Sequence, residues 1–458
     1  MVKKTNVWEK LNDEELKELY EYNDRYMDFL SNAKTERLAH DIIVKEAKEH
    51  GFISLEEKLK EGNLQRGDKV YASNKGKTLA LFVIGEDLEE GMNIVGSHVD
   101  SPRLDLKANP IKEDGNMLYF KTHYYGGIKK YQWVTLPLAL HGVLFTKDGE
   151  KIQISIGENP EEPVFYITDL LPHLAKDQMK KSGREIIEGE QLNIVIGHNS
   201  RNNDDEEKTP LTKNILKILK DKYGIEEEDF FRAEIEAVPQ GRARNVGFDE
   251  SLIAGYGHDD RVCSYANYRA ILDIDNPERT AVSLIVDKEE VGSIGNTGMT
   301  SRFFENVVAE LLNMKDSYSD IKTRRAMANS KVLSADVNTA VDPTFPEVTE
   351  EQNAAHMGCG VTLTKFTGSG GKGGSNDANA EFLAEVIKTF DDNGVIYQVG
   401  ELGKVDQGGG GTIAYILAEY GAEVVDCGTG MLSMHAPIEL VSKADAYETY
   451  RAYKAFLK

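Results

Sequence analysis

The chain has 458 residues, of which 40% are hydrophobic and 29% are charged, and its formal net charge is −23. This length predicts two or three domains, and the acidic balance repels a phosphate backbone, so we expect no nucleic-acid partner. No run approaches the roughly 18 apolar residues that a membrane span requires, so we expect no membrane partner either. Widely spaced cysteines and a polar N-terminus are typical of a cytoplasmic protein.

The first hundred residues have the pattern of an α/β domain. Helical periodicity covers 13–30 and 33–50, and short apolar segments that predict strands follow at 69–71, 78–84 and 92–95. The last of these segments leads directly to His98.

The pattern changes between residues 110 and 230. Alternating, aromatic-rich segments predict strands at 117–122, 131–140, 151–156 and 192–196. The polar tract 199–210 predicts a mobile loop, and a helix is expected at 211–223.

From residue 231 the alternation of strands and helices resumes, with elements expected at 261–273, 281–286, 302–313 and 331–335. The sequence therefore predicts an α/β catalytic domain formed by 1–109 and 231–458. A β-rich domain, 110–230, interrupts it.

Side chains that can bind metal ions follow several apolar segments of the catalytic domain. They are His98 after 92–95, Glu289 and Glu290 after 281–286, Asp336 after 331–335, and His435 after 431–434. Residues at the ends of several strands commonly form the active crevice of an α/β sheet, so we expect these side chains to share one site.

The Glu289–Glu290 pair carries the most information about chemistry. Adjacent side chains diverge, so Glu290 can bind a metal while Glu289 faces the reacting water. Two divalent ions about 4 Å apart need a bridging carboxylate and roughly one histidine and one acid each. Asp259 could bridge, His98 with Asp336 could complete one ion, and His435 with Glu290 could complete the other.

Asp100, two residues after His98, could orient its imidazole. Each residue alone also fits a structural role, as a hydrogen-bonded histidine, a helix cap or a solvated loop pair. Their joint occurrence at segment ends favours the metal site.

Two glycine-rich tracts, 368–375 and 408–412, lack the spacing of a phosphate loop. They predict a close backbone approach to a substrate or a neighbouring subunit. A helix from Thr412 to Tyr420 is expected after the second tract.

Several ordered motifs resemble the M18 family of metallo-aminopeptidases, specifically the aspartyl aminopeptidase group, over nearly the whole chain. They are SHVDSP at 97–102, WVTLPL at 133–138, LPHL at 171–174, EEVGS at 289–293, GTIA at 411–414 and MH at 434–435. The resemblance implies a zinc-peptidase-like α/β/α catalytic domain and an inserted domain that mediates oligomerisation.

The resemblance also implies roles for individual residues. Glu289 would be the general base, and the metal ligands would be His98, Asp259, Glu290, Asp336 and His435. Asp260 remains an alternative to Asp259 as the bridging ligand. His173 resembles a family histidine that reaches the active site of a neighbouring subunit, although it also fits a core or interface position.

The implied activity is removal of the N-terminal residue from peptides, with acidic Asp or Glu preferred and two divalent ions (Zn, Mn or Co) as cofactors. The implied assembly is a homododecamer. The substrate region departs from the family pattern, because Lys372 lies in a glycine tract; it could pair with a substrate carboxylate or be solvated. The alternatives are a broad-specificity aminopeptidase of the same fold and a catalytically silent peptide-binding assembly.

Overall fold

The computed structural model describes residues 4–200, 210–315 and 318–458. Most of the loop predicted at 199–210 therefore lies outside the described residues. Within the described ranges, no helix combines the length and apolar character needed to cross a bilayer.

The chain forms two compact units. The first comprises Met1–Asp100, Arg242–Met434 and Glu439–Lys458, and the second comprises Ser101–Gly241 with His435–Ile438. The segment predicted as an insertion, 110–230, lies within the second unit.

The described residues form ten α-helices and twenty-one strands. The helices are α1 (Asp13–Asn32), α2 (Glu36–Glu49), α3 (Leu55–Glu61), α4 (Pro210–Tyr223), α5 (His258–Leu272), α6 (Phe303–Lys315), α7 (Asp320–Ala328), α8 (Ala380–Asp392), α9 (Ala414–Ala418) and α10 (Lys443–Leu457). The strands are β1 (Ile53–Ser54), β2 (Lys69–Asn74), β3 (Thr78–Val83), β4 (Met92–His98), β5 (Arg103–Asp114), β6 (Met117–Tyr125), β7 (Pro137–Phe145), β8 (Lys151–Ile156), β9 (Phe165–Tyr166), β10 (Ile194–Gly197), β11 (Ala233–Pro239), β12 (Arg244–Val246), β13 (Leu252–Gly255), β14 (Thr280–Val286), β15 (Lys331–Ser334), β16 (Asn338–Thr339), β17 (Val361–Thr364), β18 (Tyr397–Val399), β19 (Glu423–Gly428), β20 (Gly430–Leu432) and β21 (Glu439–Ser442).

A nine-stranded sheet with the order β1-β2-β3-β14-β4-β15-β19-β17-β18 forms the centre of the first unit. β14 and β15 flank β4 and run parallel to it, with Val286 opposite His98 and Ser334 opposite Gly96. The carboxyl ends of these three strands therefore meet at one edge of the sheet.

Helices cover both faces of this sheet. Alternate strand residues point to opposite faces, and both sets are apolar. Ala281 and Ile285 of β14 pack in the core that includes α1, α2, α5, α8 and α10. Val282 and Leu284 pack in the core that includes α3, α6, α7 and α9. This α/β/α layering confirms the predicted α/β fold class.

The first unit also contains a five-stranded sheet with the order β12-β13-β21-β20-β16. β20 contains Met431 and Leu432, which belong to the apolar segment that precedes His435. That apolar segment thus belongs to a sheet other than the one that ends at His98.

The second unit is built on a seven-stranded antiparallel sheet. β7 pairs with β11 along one edge and with β9 and β8 along the other, so the strands β7, β11, β5, β6, β10 and β9 form a closed ring.

Several predicted elements have different bounds in the structure. The strand expected at 131–140 begins only at Pro137, because a 3-10 turn at Lys130–Gln132 precedes the buried Trp133. The helix expected from residue 33 begins at Glu36, because the Thr35 hydroxyl caps the backbone N–H of Leu38. The helix expected at 412–420 spans only Ala414–Ala418.

Candidate metal centre

Three strand ends deliver candidate ligands to one edge of the nine-stranded sheet. His98 is the last residue of β4, and Asp336 lies two residues beyond β15. Glu289 and Glu290 begin a 3-10 turn that starts three residues beyond β14. The structure therefore places these four side chains at one edge of the sheet.

The start of α5 adds two more carboxylates. Asp259 and Asp260 have non-helical backbone angles, and the peptide bond between them is cis. The backbone N–H of Asp259 donates to Glu439 Oε2 (3.1 Å), and Asp260 Oδ2 accepts a hydrogen bond from the backbone N–H of His98 (3.3 Å).

These side chains converge on the imidazole of His98. Its Nε2 lies 3.3 Å from Asp259 Oδ1, 3.8 Å from Glu289 Oε2 and 3.9 Å from Asp336 Oδ1. Two sets of candidate ligand atoms, called the ligand sets below, each lie within 4.8 Å of one another: His98, Asp259 and Glu290 in one, and His98, Asp260 and Asp336 in the other. Both aspartates that the sequence left as alternatives are therefore in the cluster.

The chemistry of this cluster fits a metal ion. His98 Nδ1 lies 3.2 Å from Asp100 Oδ1, which favours the tautomer that donates from Nδ1 and leaves a lone pair on Nε2. Nε2 is buried and forms no hydrogen bond to any residue that the structure describes. A lone pair that faces several carboxylates attracts a cation. One imidazole with carboxylate oxygens is a donor set that suits Zn²⁺.

The pKa shifts within the cluster also favour a bound cation. Burial, together with the negative charges of Asp336, Asp100 and Asp259, raises the pKa of Glu289 to about 8, although His98 opposes the rise. Burial lowers the pKa of His98, but its contacts with Asp100, Asp259 and Asp336 outweigh burial and raise that pKa well above the usual value. A bound cation would supply the positive charge that these groups otherwise obtain from protons.

Asp100 joins the two halves of the cluster. In addition to contacting His98, its Oδ1 accepts the backbone N–H of Glu289 and its Oδ2 accepts that of Glu290, each at 3.1 Å. Sequence reasoning anticipated the contact with the imidazole but not the contacts with the glutamate turn. This fully buried carboxylate thus orients both a candidate ligand and the turn that carries the candidate base.

Replacing Asp100 with asparagine is expected to weaken metal affinity or kcat/KM by about 10- to 100-fold. The amide cannot accept from the imidazole and from both backbone N–H groups at once. Competition with a chromogenic chelator measures the affinity. Asp249→Asn is the matched control, because Asp249 also accepts a backbone N–H but is exposed. Wild-type affinity and rate in Asp100→Asn would show that the carboxylate is dispensable.

His435 and His173 belong to the second unit, and within the described ranges neither is a member of the two ligand sets. His435 Nδ1 lies 2.9 Å from the carbonyl oxygen of Gly127. His173 is exposed in the segment that follows β9.

Two residues of the site were missed from sequence. Glu439 holds the backbone of Asp259 from a position 180 residues away in the chain. A Cβ at Gly428 would lie 1.8 Å from the carbonyl oxygen of Asp336, so only glycine allows β19 to pass this close. No local pattern signals either contact, because both arise from tertiary pairing.

Comparisons with known proteins agree with one another. A family model described as aminopeptidase I zinc metalloprotease (M18) matches residues 29–457. A probable M18 family aminopeptidase 1 of Clostridium acetobutylicum is 52% identical over 454 residues, covering 99% of this chain and 97% of the relative. The crystal structure of an M18 family aminopeptidase from Thermotoga maritima matches with a TM-score of 0.95 and 46% identity over 100% of both chains. The mApe1 dodecamer of Saccharomyces cerevisiae shares the fold, with a TM-score of 0.76 and 23% identity over 94% of this chain and 95% of that one.

Proposed function

The chain belongs to the M18 family of zinc metallo-aminopeptidases and is a peptide hydrolase, and from this we propose that it binds two divalent ions, preferably Zn²⁺, and removes acidic N-terminal residues. The observation that carries the metal proposal is the buried His98 Nε2, which has no hydrogen-bond partner among the described residues. Because one imidazole nitrogen binds one ion, His98 would hold the first ion, and the carboxylates grouped with it in two different sets would supply oxygens for a second. Mn²⁺ and Co²⁺ suit the same donor atoms.

The proposed ligands are those that the family resemblance implies: His98, Asp259, Glu290, Asp336 and His435. We favour Asp259 over Asp260 as the bridging ligand. Asp259 Oδ1 faces His98 Nε2, whereas Asp260 Oδ2 accepts the backbone N–H of His98. Asp260 is better placed to hold His98 than to share two ions.

Bound divalent ions would polarise the scissile carbonyl and favour deprotonation of water. Glu289 would accept the proton of the attacking water and return it to the leaving amine. Its side chain is 17% exposed and extends from a turn anchored by Asp100, so substrate can reach it while its position stays fixed. Peptides with a free α-amino group are the proposed substrates.

Preference for an acidic first residue is supported by Lys372 in the first glycine tract. Its Nζ is 2.8 Å from Asp377 Oδ2 and 3.8 Å from the centre of the Phe366 ring, and Lys365 also pairs with Asp377. Beside this ion pair and ring contact the lysine side chain remains 45% exposed, so a substrate group can reach its ammonium group. A substrate carboxylate could thus exchange with Asp377.

Lys372→Ala is expected to reduce the ratio of kcat/KM for Asp-first over Leu-first peptides by about tenfold, the effect of losing one hydrogen bond to a charged group. The other cation of this pair supplies the control, since Lys365→Ala should change the ratio less. If Lys372→Ala keeps the wild-type ratio, this lysine does not recognise the substrate.

We propose a homo-oligomer, with the dodecamer of the yeast relative as its pattern. Support comes from the second unit, where Leu170, Leu171, Leu174 and Met179 surround His173 in sequence and are each at least half exposed. Exposed apolar side chains concentrated in one segment favour a protein contact surface, and His173 would then act at the neighbouring copy. Light scattering would test this, and a mass of 51.0 kDa, that of one chain, would contradict it.

The proposed location is the cytoplasm. Cys263, Cys359 and Cys427 are all free thiols, as a reducing compartment would keep them.

A further inference from the structure

The two glycine tracts pack against each other, backbone to backbone. The N–H of Gly368 donates to the carbonyl oxygen of Gly410 at 2.7 Å. Gly409 has a φ of +116°, and a Cβ there would lie 2.0 Å from the carbonyl oxygen of Gly368. We call residues 368–374 and 408–411 the paired glycine loops.

The paired glycine loops are tied to one strand of the central sheet. Just after the first loop, Asn376 Nδ2 donates to the carbonyl oxygen of Val424 in β19 at 2.7 Å. Just after the second loop, the Thr412 hydroxyl donates to Asp426 Oδ1 in the same strand at 2.6 Å. Both loops are therefore held by β19.

This anchor lies beside the candidate metal centre. Asp426 stands opposite Ser334 in the parallel pairing of β19 with β15, and Ser334 precedes Asp336 by two residues. The hydroxyls of Ser334 and Thr412 are 3.4 Å apart. The strand pair that positions Asp336 thus also positions the loops.

The buried carboxylate of Asp426 in the Thr412–Asp426 pair has a free-energy cost. Asp426 is only 4% exposed, and its Oδ2 has no hydrogen-bond partner among the residues described. Burial raises the pKa of Asp426 to about 7, although the hydroxyls of Thr412 and Ser334 oppose the rise. An apolar side chain would fill the space at a lower free-energy cost, so packing alone does not account for an acid here.

The paired glycine loops also line a cavity. Gly368, Gly370 and Gly408 contribute to its wall with Phe366 and Lys372. The orientation of the loops therefore determines the shape of a concave surface that contains Lys372, the residue proposed to recognise the substrate.

We propose that Thr412 and Asp426 are positioning residues, whose hydrogen bond holds the paired glycine loops in the orientation that binds the N-terminal residue of the peptide. The inference rests on the proposed aminopeptidase function and adds two residues to it. Neither residue touches the reacting atoms in this arrangement, so their effect falls on substrate binding and not on metal binding.

Thr412→Val tests the inference, because valine matches threonine in shape and lacks the hydroxyl. KM for a favoured aminoacyl amide should rise about three- to tenfold, the effect of one lost hydrogen bond. kcat should stay within about twofold, since the general base is unchanged, and metal content should equal that of wild type. Thr412→Ser, which restores the hydroxyl, should recover most of the wild-type KM.

Thr389→Val is the matched control, because among the described residues the Thr389 hydroxyl bonds only to a carbonyl within α8. Hydrogen exchange provides a readout that is independent of activity: the amides of the paired glycine loops should exchange faster in Thr412→Val, while those of β15 should not change. If Thr412→Val does not fold, Thr412→Ala provides the same comparison.

Wild-type KM together with wild-type loop exchange in the variant would overturn the inference. A wild-type protein that releases no N-terminal residue would instead overturn the proposed function, and loop exchange would still decide whether the Thr412–Asp426 bond orders the loops.

Discussion

Replacing Glu289 with glutamine is expected to lower kcat by about 10²- to 10⁴-fold, the usual contribution of a general acid–base group. Glutamine has the size of glutamate but cannot take a proton from water. The backbone N–H of residue 289 still donates to Asp100, so the turn keeps its geometry. The loss should therefore appear in kcat, with KM and metal content close to those of wild type.

Glu290→Gln is the informative comparison, because Glu290 belongs to a ligand set whereas Glu289 does not. Elemental analysis after dialysis should show metal lost from Glu290→Gln and retained by Glu289→Gln. A Glu289→Gln protein with more than half of the wild-type kcat would rule out Glu289 as the base.

Replacing His98 with alanine is expected to lower both metal content and activity, the latter by more than about 100-fold. Outer-sphere changes alone cost 10- to 100-fold, so the loss of a ligand should exceed them. His98 is common to both ligand sets and is the only imidazole in either of them within the described chain. Its removal also deprives Asp100 of one contact.

The metal-to-protein ratio, measured by elemental analysis together with kcat/KM, tests this expectation. His50→Ala is the control, since His50 is exposed at the end of α2 and its Nδ1 lies near a backbone carbonyl. If His98→Ala retained the wild-type metal ratio, the ligand set would have to be built from other residues.

The part of the site that sequence reasoning could predict is the part built from strand ends. His98, Glu290 and Asp336 each follow an apolar segment. The parallel strands β14, β4 and β15 bring such positions together, because the carboxyl ends of neighbouring parallel strands meet at one edge of the sheet. Short apolar segments were sufficient here because these strands are buried on both faces and appear in the sequence as nearly continuous apolar runs.

Other features could not be read from local pattern. His435 also follows an apolar segment, but that segment is β20 of the five-stranded sheet, and periodicity does not report which sheet a strand joins. The same limit applies to Glu439, which holds Asp259 across 180 residues, and to the paired glycine loops. The glycine tracts predicted a close backbone approach, but only the structure shows that the two tracts approach each other.

The family resemblance also does not decide between Asp259 and Asp260 as the bridging ligand. Both precede the regular part of α5, and both offer oxygens to the cluster. Two contacts with His98 distinguish them in the structure: Asp259 Oδ1 lies 3.3 Å from its Nε2, whereas Asp260 Oδ2 accepts its backbone N–H.

The first measurement to make is release of the N-terminal residue from peptides that differ only in that residue, followed by mass spectrometry. Each peptide would be offered with a free and with an acetylated α-amino group, to Zn²⁺-loaded protein and to protein treated with a chelator. We expect stepwise release from free peptides only, fastest for Asp and Glu, abolished by the chelator and restored by metal. Undiminished release by the chelated protein, or no release with Zn²⁺, Mn²⁺ or Co²⁺, would contradict a metal-dependent aminopeptidase.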